Sequence, residues 1–250
     1  MRYFGLTDRG KMRKNNQDSY VIASNQAGDV FAIVCDGIGG GKGGDIASRL
    51  AVTHFSIAFA HNQGFETEAQ VRRWLDIEIP AANEEIYRMG KRTAELKGMG
   101  TTFTGVLVTS CGRFIVNIGD SRTYAYYPDG SFVQLTVDHT LVNDMVRHGE
   151  LTKEEAKNYP RKNVLTNALG VWEKSRYDVD LFEGKANGFL ICSDGLHGYV
   201  EEEVIRKIVL NREIDPAIRV RRLYSAAMRA GGYDNITAIL IDLEGDEQYE

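Results

Sequence analysis

Cysteine is scarce in this chain and odd in number: 250 residues carry three, Cys35, Cys111 and Cys192. Two of them sit inside apolar runs, so they read as small core residues in a reducing compartment, and a disulfide framework is excluded. Long apolar runs are missing as well. No stretch reaches the ~18 residues of a membrane span, and residues 1–10 lack the apolar core of a secretory signal, so a cytoplasmic protein is expected. Basic excess is absent: 30 Lys and Arg stand against 35 Asp and Glu, a net charge of −5, which leaves no electrostatic footprint for nucleic acid. No linker, repeat or low-complexity tract divides the chain, so residues 1–250 are expected to form one domain. What remains, 43% apolar and 26% charged residues, is the composition of a globular protein with a sizeable core.

Against that background one pattern occurs twice. Phe31-Ala-Ile-Val-Cys35 is a short apolar run that reads as a buried strand, and it delivers Asp36-Gly37 at its end, followed by more glycines. Phe189-Leu-Ile-Cys192-Ser193-Asp194-Gly195 repeats it far along the chain. An isolated Asp-Gly is ordinarily a turn. Two buried strands in one core, each ending in Asp-Gly, can instead bring two carboxylates together. Without a Cβ, glycine also lets the backbone bend sharply and lets a metal ion or phosphate approach, with the Gly37 carbonyl beside the carboxylate. A third copy, Asp129-Gly130, follows Pro128 between two strand-like segments and is assigned to a hairpin turn alone.

The remaining elements follow from periodicity and punctuation. Strands are expected at Tyr3–Thr7, Ser19–Ala23, Thr102–Thr109, Phe114–Ile118, Thr123–Tyr127, Phe132–Leu135, Tyr177–Phe182, Gly188–Cys192 and Ile236–Ile241. Ile46, Leu50, Ala51, His54, Phe55 and Ala58 recur at helical spacing; His54 lies on the apolar stripe, where a lone histidine packs more often than it ligates. Thr67 and Gln70 form a capping-box pattern ahead of a second helix, which Pro80 should kink or divide. Thr152 and Glu155 repeat the capping pattern. Helices are expected at Glu201–Leu210 and after Asp215, with Pro216 in the first turn. The segment 138–165, including Asn158-Tyr159-Pro160-Arg161-Lys162-Asn163, has little to bury and reads as a small mobile flap. The order of elements predicts an α+β fold, sheet stacked on mainly antiparallel sheet with helices outside.

Asp18, Asp36, Asp194 and Asp234 then share one kind of address, at or beside the ends of strands. If those ends lie together, four like charges meet, which is strongly unfavourable unless cations neutralise them. Oxygen donors without Cys or His select Mg2+ or Mn2+ over Zn2+. Two such ions can lower the pKa of a bridging water and generate a nucleophile near neutral pH. Arg13, close in sequence to Asp18, carries a planar fork of donors suited to phosphate oxygens. Gly119-Asp120-Ser121-Arg122 reads either as a β-turn with a surface ion pair or as the completion of another metal position.

The blocks Arg13-Lys14-Asn15-Asn16-Gln17-Asp18, Asp36-Gly37-Ile38-Gly39-Gly40, Gly100-Thr101-Thr102, Gly119-Asp120-Ser121-Arg122, Asp138-His139-Thr140, Asn163 to Gly170, Ser193-Asp194-Gly195-Leu196 and Asp234-Asn235-Ile236-Thr237 occur in order along nearly the whole chain. In that order and spacing the sequence resembles the metal-dependent protein phosphatases of type 2C in their bacterial form. The resemblance implies a four-layer α-β-β-α sandwich and a two-metal centre that removes phosphate from phosphoserine and phosphothreonine in proteins, without a phosphoenzyme. It implies that Asp36 bridges both ions, that the Gly37 carbonyl supports one, and that Asp194 and Asp234 hold the other. Asp18 would act directly or through water, Arg13 would clamp the substrate phosphate, and Asp120 with Asp194 would form a third, weaker metal site. Residues 138–165 would be the flap bordering the substrate groove. Two departures stand out. Ile38 replaces the His of eukaryotic relatives, which removes a general acid, and Gln17 stands where many relatives carry Glu. His139, beside Asp138, reads as structural.

The expected partners are therefore phosphorylated proteins, targets of a serine/threonine kinase, met by a monomer. Two other readings compete. A catalytically dead binding member would usually have lost one of Asp36, Asp194 or Asp234, and all three are present. A phosphatase of small metabolites fits a long polar flap less well than a groove for an extended peptide does.

Overall fold

The computed structural model describes residues 1–39, 42–157, 159–161 and 163–243. Gly40 and Gly41 of the glycine run, and Asn158 and Lys162 of the flap, lie outside the described residues. In chain order the elements are β1 (Arg2–Asp8), β2 (Asp18–Ser24), β3 (Val30–Ile38), α1 (Gly43–Ala60), α2 (Glu68–Arg92), β4 (Gly100–Thr101), β5 (Phe103–Thr109), β6 (Gly112–Ile118), β7 (Arg122–Tyr126) and β8 (Phe132–Gln134). There follow α3 (Leu141–Arg147), α4 (Lys153–Lys157), β9 (Asp178–Leu181), β10 (Gly188–Cys192), α5 (Asp194–His197), α6 (Glu202–Val209), α7 (Pro216–Arg229) and β11 (Ile236–Asp242). One sheet has the order β1-β11-β10-β7-β8 and the other β2-β3-β5-β6-β9, with β4 attached to β3. The pairings within both sheets are antiparallel.

Alternation along the strands decides the layers. Successive side chains of a strand point to opposite faces. In β3, Phe31, Ile33 and Cys35 pack with Ala47, Ala51, Phe55 and Phe59 of α1 and with Val71, Leu75 and Ile79 of α2. Their neighbours Ala32 and Val34 pack instead with Phe189 and Ile191 of β10 and Ile239 and Ile241 of β11, between the sheets. On the far side, Leu190, Cys192, Ala238 and Leu240 meet Ile205 and Val209 of α6 and Val220, Leu223 and Ala227 of α7. Three apolar layers thus separate four layers of structure, and each fully buried Phe, Leu or Ile stabilises the stack by about 1.5–3 kcal/mol. This is the α-β-β-α sandwich that the sequence predicts. Cys35 and Cys192 are core residues, as expected.

Three local expectations are corrected. Of the kink or division expected at Pro80, the division does not occur: α2 runs unbroken through it from Glu68 to Arg92. Pro80 is solvent-exposed while Ile79 and Ala82 beside it are buried, so water can satisfy the carbonyl that loses its partner and packing holds the rest. Asp36 does not end its strand, because β4 pairs with Gly37 and Ile38 and carries the ladder past it. The strand expected from Thr102 begins one residue later, since Thr102 leaves the ladder to bond the Asp36 backbone. His54 packs at the helix pair as expected, with its Nε2 2.9 Å from Glu78 Oε2. Among the described residues no helix is long and apolar enough to cross a membrane.

Candidate metal centre

The parity that builds the core also aims the carboxylates. Asp36 shares the face of β3 that carries Ala32 and Val34, so it points between the sheets, and Asp18 lies directly opposite it in the β2–β3 register. Ser193 continues the inter-sheet side of β10, and Thr237 that of β11. Asp18 Oδ2 accepts hydrogen bonds from Ser193 Oγ at 2.7 Å and Thr237 Oγ1 at 2.6 Å. One carboxylate from the second sheet is therefore fastened to two strands of the first. Its other oxygen, Oδ1, is buried with no hydrogen-bond partner.

Asp194 opens α5 directly after Ser193, and its carboxyl lies close enough to that of Asp36 for each to affect the other's proton affinity. Asp234 stands two residues before β11. Its Oδ2 accepts from Arg13 Nη2 at 2.7 Å and its Oδ1 from the Asn235 backbone at 2.9 Å. Asp120, in the turn between β6 and β7, completes the group. Arg122 does not pair with it; the guanidinium makes a bidentate pair with Asp138, with Nη2 to Oδ2 at 2.7 Å and Nε to Oδ1 at 2.9 Å. The surface ion pair that the tetrapeptide suggested is thus absent, and Arg122 anchors the base of the 138–165 segment.

Burial and mutual repulsion push these acids up. The Asp18 carboxyl rises to about 7, chiefly because it is buried, with Asp194 and Asp234 adding to the shift and its two hydroxyl donors opposing it. Asp36 is raised well above the ordinary carboxylate range, first by burial, then by Asp18, Asp194, Asp120 and Asp234. Asp120 rises to about 7 through burial and the charges of Asp194 and Asp138. Asp194 is raised by burial and Asp234, against the opposing contact with Asp36 and the charge of Arg13. Asp234 is thus the most weakly acting of the charges that raise Asp36.

Both Asp-Gly glycines prove necessary for a different reason from the expected sharp bend. Neither Gly37 nor Gly195 has positive φ. A Cβ on Gly37 would lie 2.1 Å from the Gly44 carbonyl oxygen of α1 and 2.5 Å from that of Gln17. A Cβ on Gly195 would lie 1.8 Å from the Asn235 carbonyl oxygen. Removing the side chain lets the segments that carry the aspartates close on one another. The third copy behaves as assigned: Asp129 Oδ1 accepts from the Ser131 backbone at 2.9 Å in the turn between β7 and β8.

The family model for protein phosphatase 2C matches residues 9–228. This chain belongs to the protein phosphatase 2C family. Among curated relatives, serine/threonine phosphatase stp of Listeria monocytogenes is 36% identical over 244 residues, covering 94% of this chain and 93% of its own. Protein phosphatase PhpP of Streptococcus pneumoniae is 35% identical over 243 residues, covering 97% of each. The crystal structure of serine/threonine phosphatase Stp1 from Staphylococcus aureus superposes with a TM-score of 0.88 at 31% identity over 97% of this chain and 95% of its own. That of PstP/Ppp from Mycobacterium tuberculosis gives 0.83 at 32%, covering 97% and 98%.

For a 2C-family chain the question is whether these residues suit divalent cations, and three observations say that they do. The donors are oxygen only, one buried carboxylate oxygen has no partner, and the four acids carry the repulsion that a cation relieves. Among the described residues no three His, Cys, Asp or Glu side chains close into a ready-made metal cage. Asp234 is drawn onto Arg13, and Asp18 onto its two hydroxyls.

Several supporting residues escaped the reading of the sequence. Thr101 and Thr102 both hydrogen-bond the Asp36 backbone, Thr102 through its own N–H and Oγ1. Asn235 is another such residue. Its Oδ1 accepts from Gln17 N at 2.8 Å while its Nδ2 donates to Arg9 O and Asn15 O, stitching the Arg13 loop to the start of β11. His197 gave no signal at all. It donates from Nε2 to the Asp120 carbonyl at 3.0 Å, and burial lowers its pKa to about 3, which keeps it neutral. His139 is structural, with Nε2 2.8 Å from Asp178 and Nδ1 accepting from Gly119 N and Asn167.

Proposed function

We propose that this protein is a Mn2+- or Mg2+-dependent serine/threonine protein phosphatase, a hydrolase acting as one domain in the cytoplasm on phosphoproteins. The observation that carries this reading is the convergence of Asp18, Asp36, Asp194 and Asp234 at one end of the sheet pair, beside Arg13. Asp36, the Gly37 carbonyl, Asp194 and Asp234 would together hold two cations. Asp18 would hold them directly or through water, and Asp120 with Asp194 would serve a weaker third. When bound, such ions offset the carboxylate repulsion and make water nucleophilic near neutral pH.

The chain's own residues do the rest. Ser193 and Thr237 favour the ionised form of Asp18 and fix its direction. Arg13 is 53% exposed at its side chain and commits one nitrogen to Asp234. A guanidinium has five N–H donors, so it can hold phosphoryl oxygens while still anchored. Ile38 supplies no proton, so protonation of the leaving serine or threonine falls to water. The segment 138–165 would act as the flap, its base tied to the Asp120 turn by Arg122–Asp138 and by His139 N to Gly119 O at 2.9 Å.

The test is phosphate release from a phosphothreonine peptide with and without Mn2+, repeated with Asp36→Asn and Asp194→Asn. The expected result is metal-dependent turnover that falls by roughly a hundredfold or more in each variant. Metal-independent turnover, or variants as active as the parent, would overturn the reading. Arg13→Ala should raise KM for the peptide roughly tenfold and leave Mn2+ affinity nearly unchanged; an unchanged KM would remove the clamp role.

A further inference from the structure

Two tyrosines stand at the rim of this centre and take no part in the chemistry assigned above. Tyr199 follows α5, five residues beyond Asp194, and Tyr233 directly precedes Asp234. Both are large apolar residues left open to solvent, 42% and 53% exposed. Their rings nonetheless pack on each other, with centroids 5.5 Å apart and planes inclined at 39°. Tyr199 lies within electrostatic reach of Arg13, Asp194 and Asp234, and Tyr233 adjoins Asp234 in the chain, so the pair borders the acidic cluster and the Arg13 proposed as its phosphate clamp.

Local backbone geometry builds this arrangement. Gly231 and Gly232 have φ of +131° and +58°, conformations that suit glycine. A Cβ on Gly231 would lie 2.2 Å from the Tyr233 ring, so the ring rests on bare backbone and is carried toward Tyr199. Lys11 closes the same corner, donating from its backbone N to Gly232 O at 2.8 Å and from Nζ to Met228 O at 2.8 Å.

We infer that Tyr199 and Tyr233 form an aromatic plate that receives an apolar residue next to the phosphorylated one in the substrate chain, and so set sequence preference. The inference rests on the phosphatase reading, because a protein substrate must lay its flanking residues across the rim when its phosphate enters. Rings this close already touch, so a guest lies across them and not between them. The charges around the plate narrow the choice. Arg13, with Lys11 at the same corner, disfavours a basic neighbour, and an acidic one would compete with the substrate phosphate for the Arg13 guanidinium. A proline or aliphatic side chain buries area on both rings without either conflict.

The experiment uses the full chain with Mn2+, p-nitrophenyl phosphate, and glycine-rich phosphothreonine peptides bearing one Leu, Pro, Asp or Lys at each of the two positions on either side. The expected result is a preference for Leu or Pro at one position. In Tyr199→Ala/Tyr233→Ala, the ratio of kcat/KM for the favoured peptide to that for p-nitrophenyl phosphate should fall roughly tenfold, mainly through KM. The double Phe variant should restore it. Equal loss on both substrates, indifference of the parent to the flanking residue, or a preference for Asp or Lys would overturn the plate while leaving the phosphatase reading intact. Failure of the parent to release phosphate from any of these substrates would remove that reading first.

Discussion

Asp18 accepts two hydroxyl hydrogen bonds on one oxygen and none on the other, and the balance leaves its carboxyl at about 7. A carboxylic acid raised in this way takes up a proton in the folded chain at a pH where the unfolded chain stays ionised. Its contribution to stability is therefore present at low pH and lost as pH rises through 7. Asp18→Asn should accordingly stabilise the metal-free protein at pH 8, by about 1–3 kcal/mol, and weaken both Mn2+ binding and turnover. Thermal melts with and without Mn2+ read the first two, and phosphate release reads the third. Asp18 itself was visible in its sequence block. Its hydroxyl partners were not, because Ser193 and Thr237 are 175 and 219 residues away and nothing local marks them.

At the scale of elements, β3 and α1 meet so closely that the side chain of residue 37 has no space. Gly37→Ala sets a Cβ against two carbonyl oxygens that belong to backbone and cannot swing aside. A loss of more than about 2 kcal/mol is expected, visible as a lower midpoint in urea unfolding, together with reduced turnover because Asp36 shifts with its neighbour. The reverse outcome is expected in α2. Pro80→Ala restores a backbone donor on an exposed face of a helix that is continuous already, and should stabilise the fold by about 1–2 kcal/mol without altering turnover. Proline marked a break when read alone, yet the buried Val71, Leu75, Ile79 and Ile86 along the same helix outweigh it. The alternation in β3 and β10, by contrast, was masked by apolar residues on both faces, and only the packed structure separates the helix side from the inter-sheet side.

In the molecule as a whole, the centre lies where the two sheets would otherwise be pushed apart by their own carboxylates. Cations that bind there belong to the folded state alone, so they add stability by mass action, about 2.7 kcal/mol for one site at a hundred times its Kd. Melting should rise by roughly 5–10 °C on addition of Mn2+ and return with EDTA. The increment should be larger at pH 8 than at pH 6, because protons compete for Asp18 and Asp120, both raised to about 7. An increment independent of pH would separate the cation from these carboxylates.

The sequence by itself determined the layered α+β architecture and the family, and singled out the acids as candidates, because strand and helix periodicities and short ordered blocks are local properties that survive in one dimension. Only the tertiary structure decided that Asp18 faces Asp36 across a strand pair, that Arg13 rests on Asp234, that Arg122 turns to Asp138, and that Tyr199 meets Tyr233. Register, sheet packing and loop closure set those distances, and they depend on residues that are remote along the chain and adjacent only after folding.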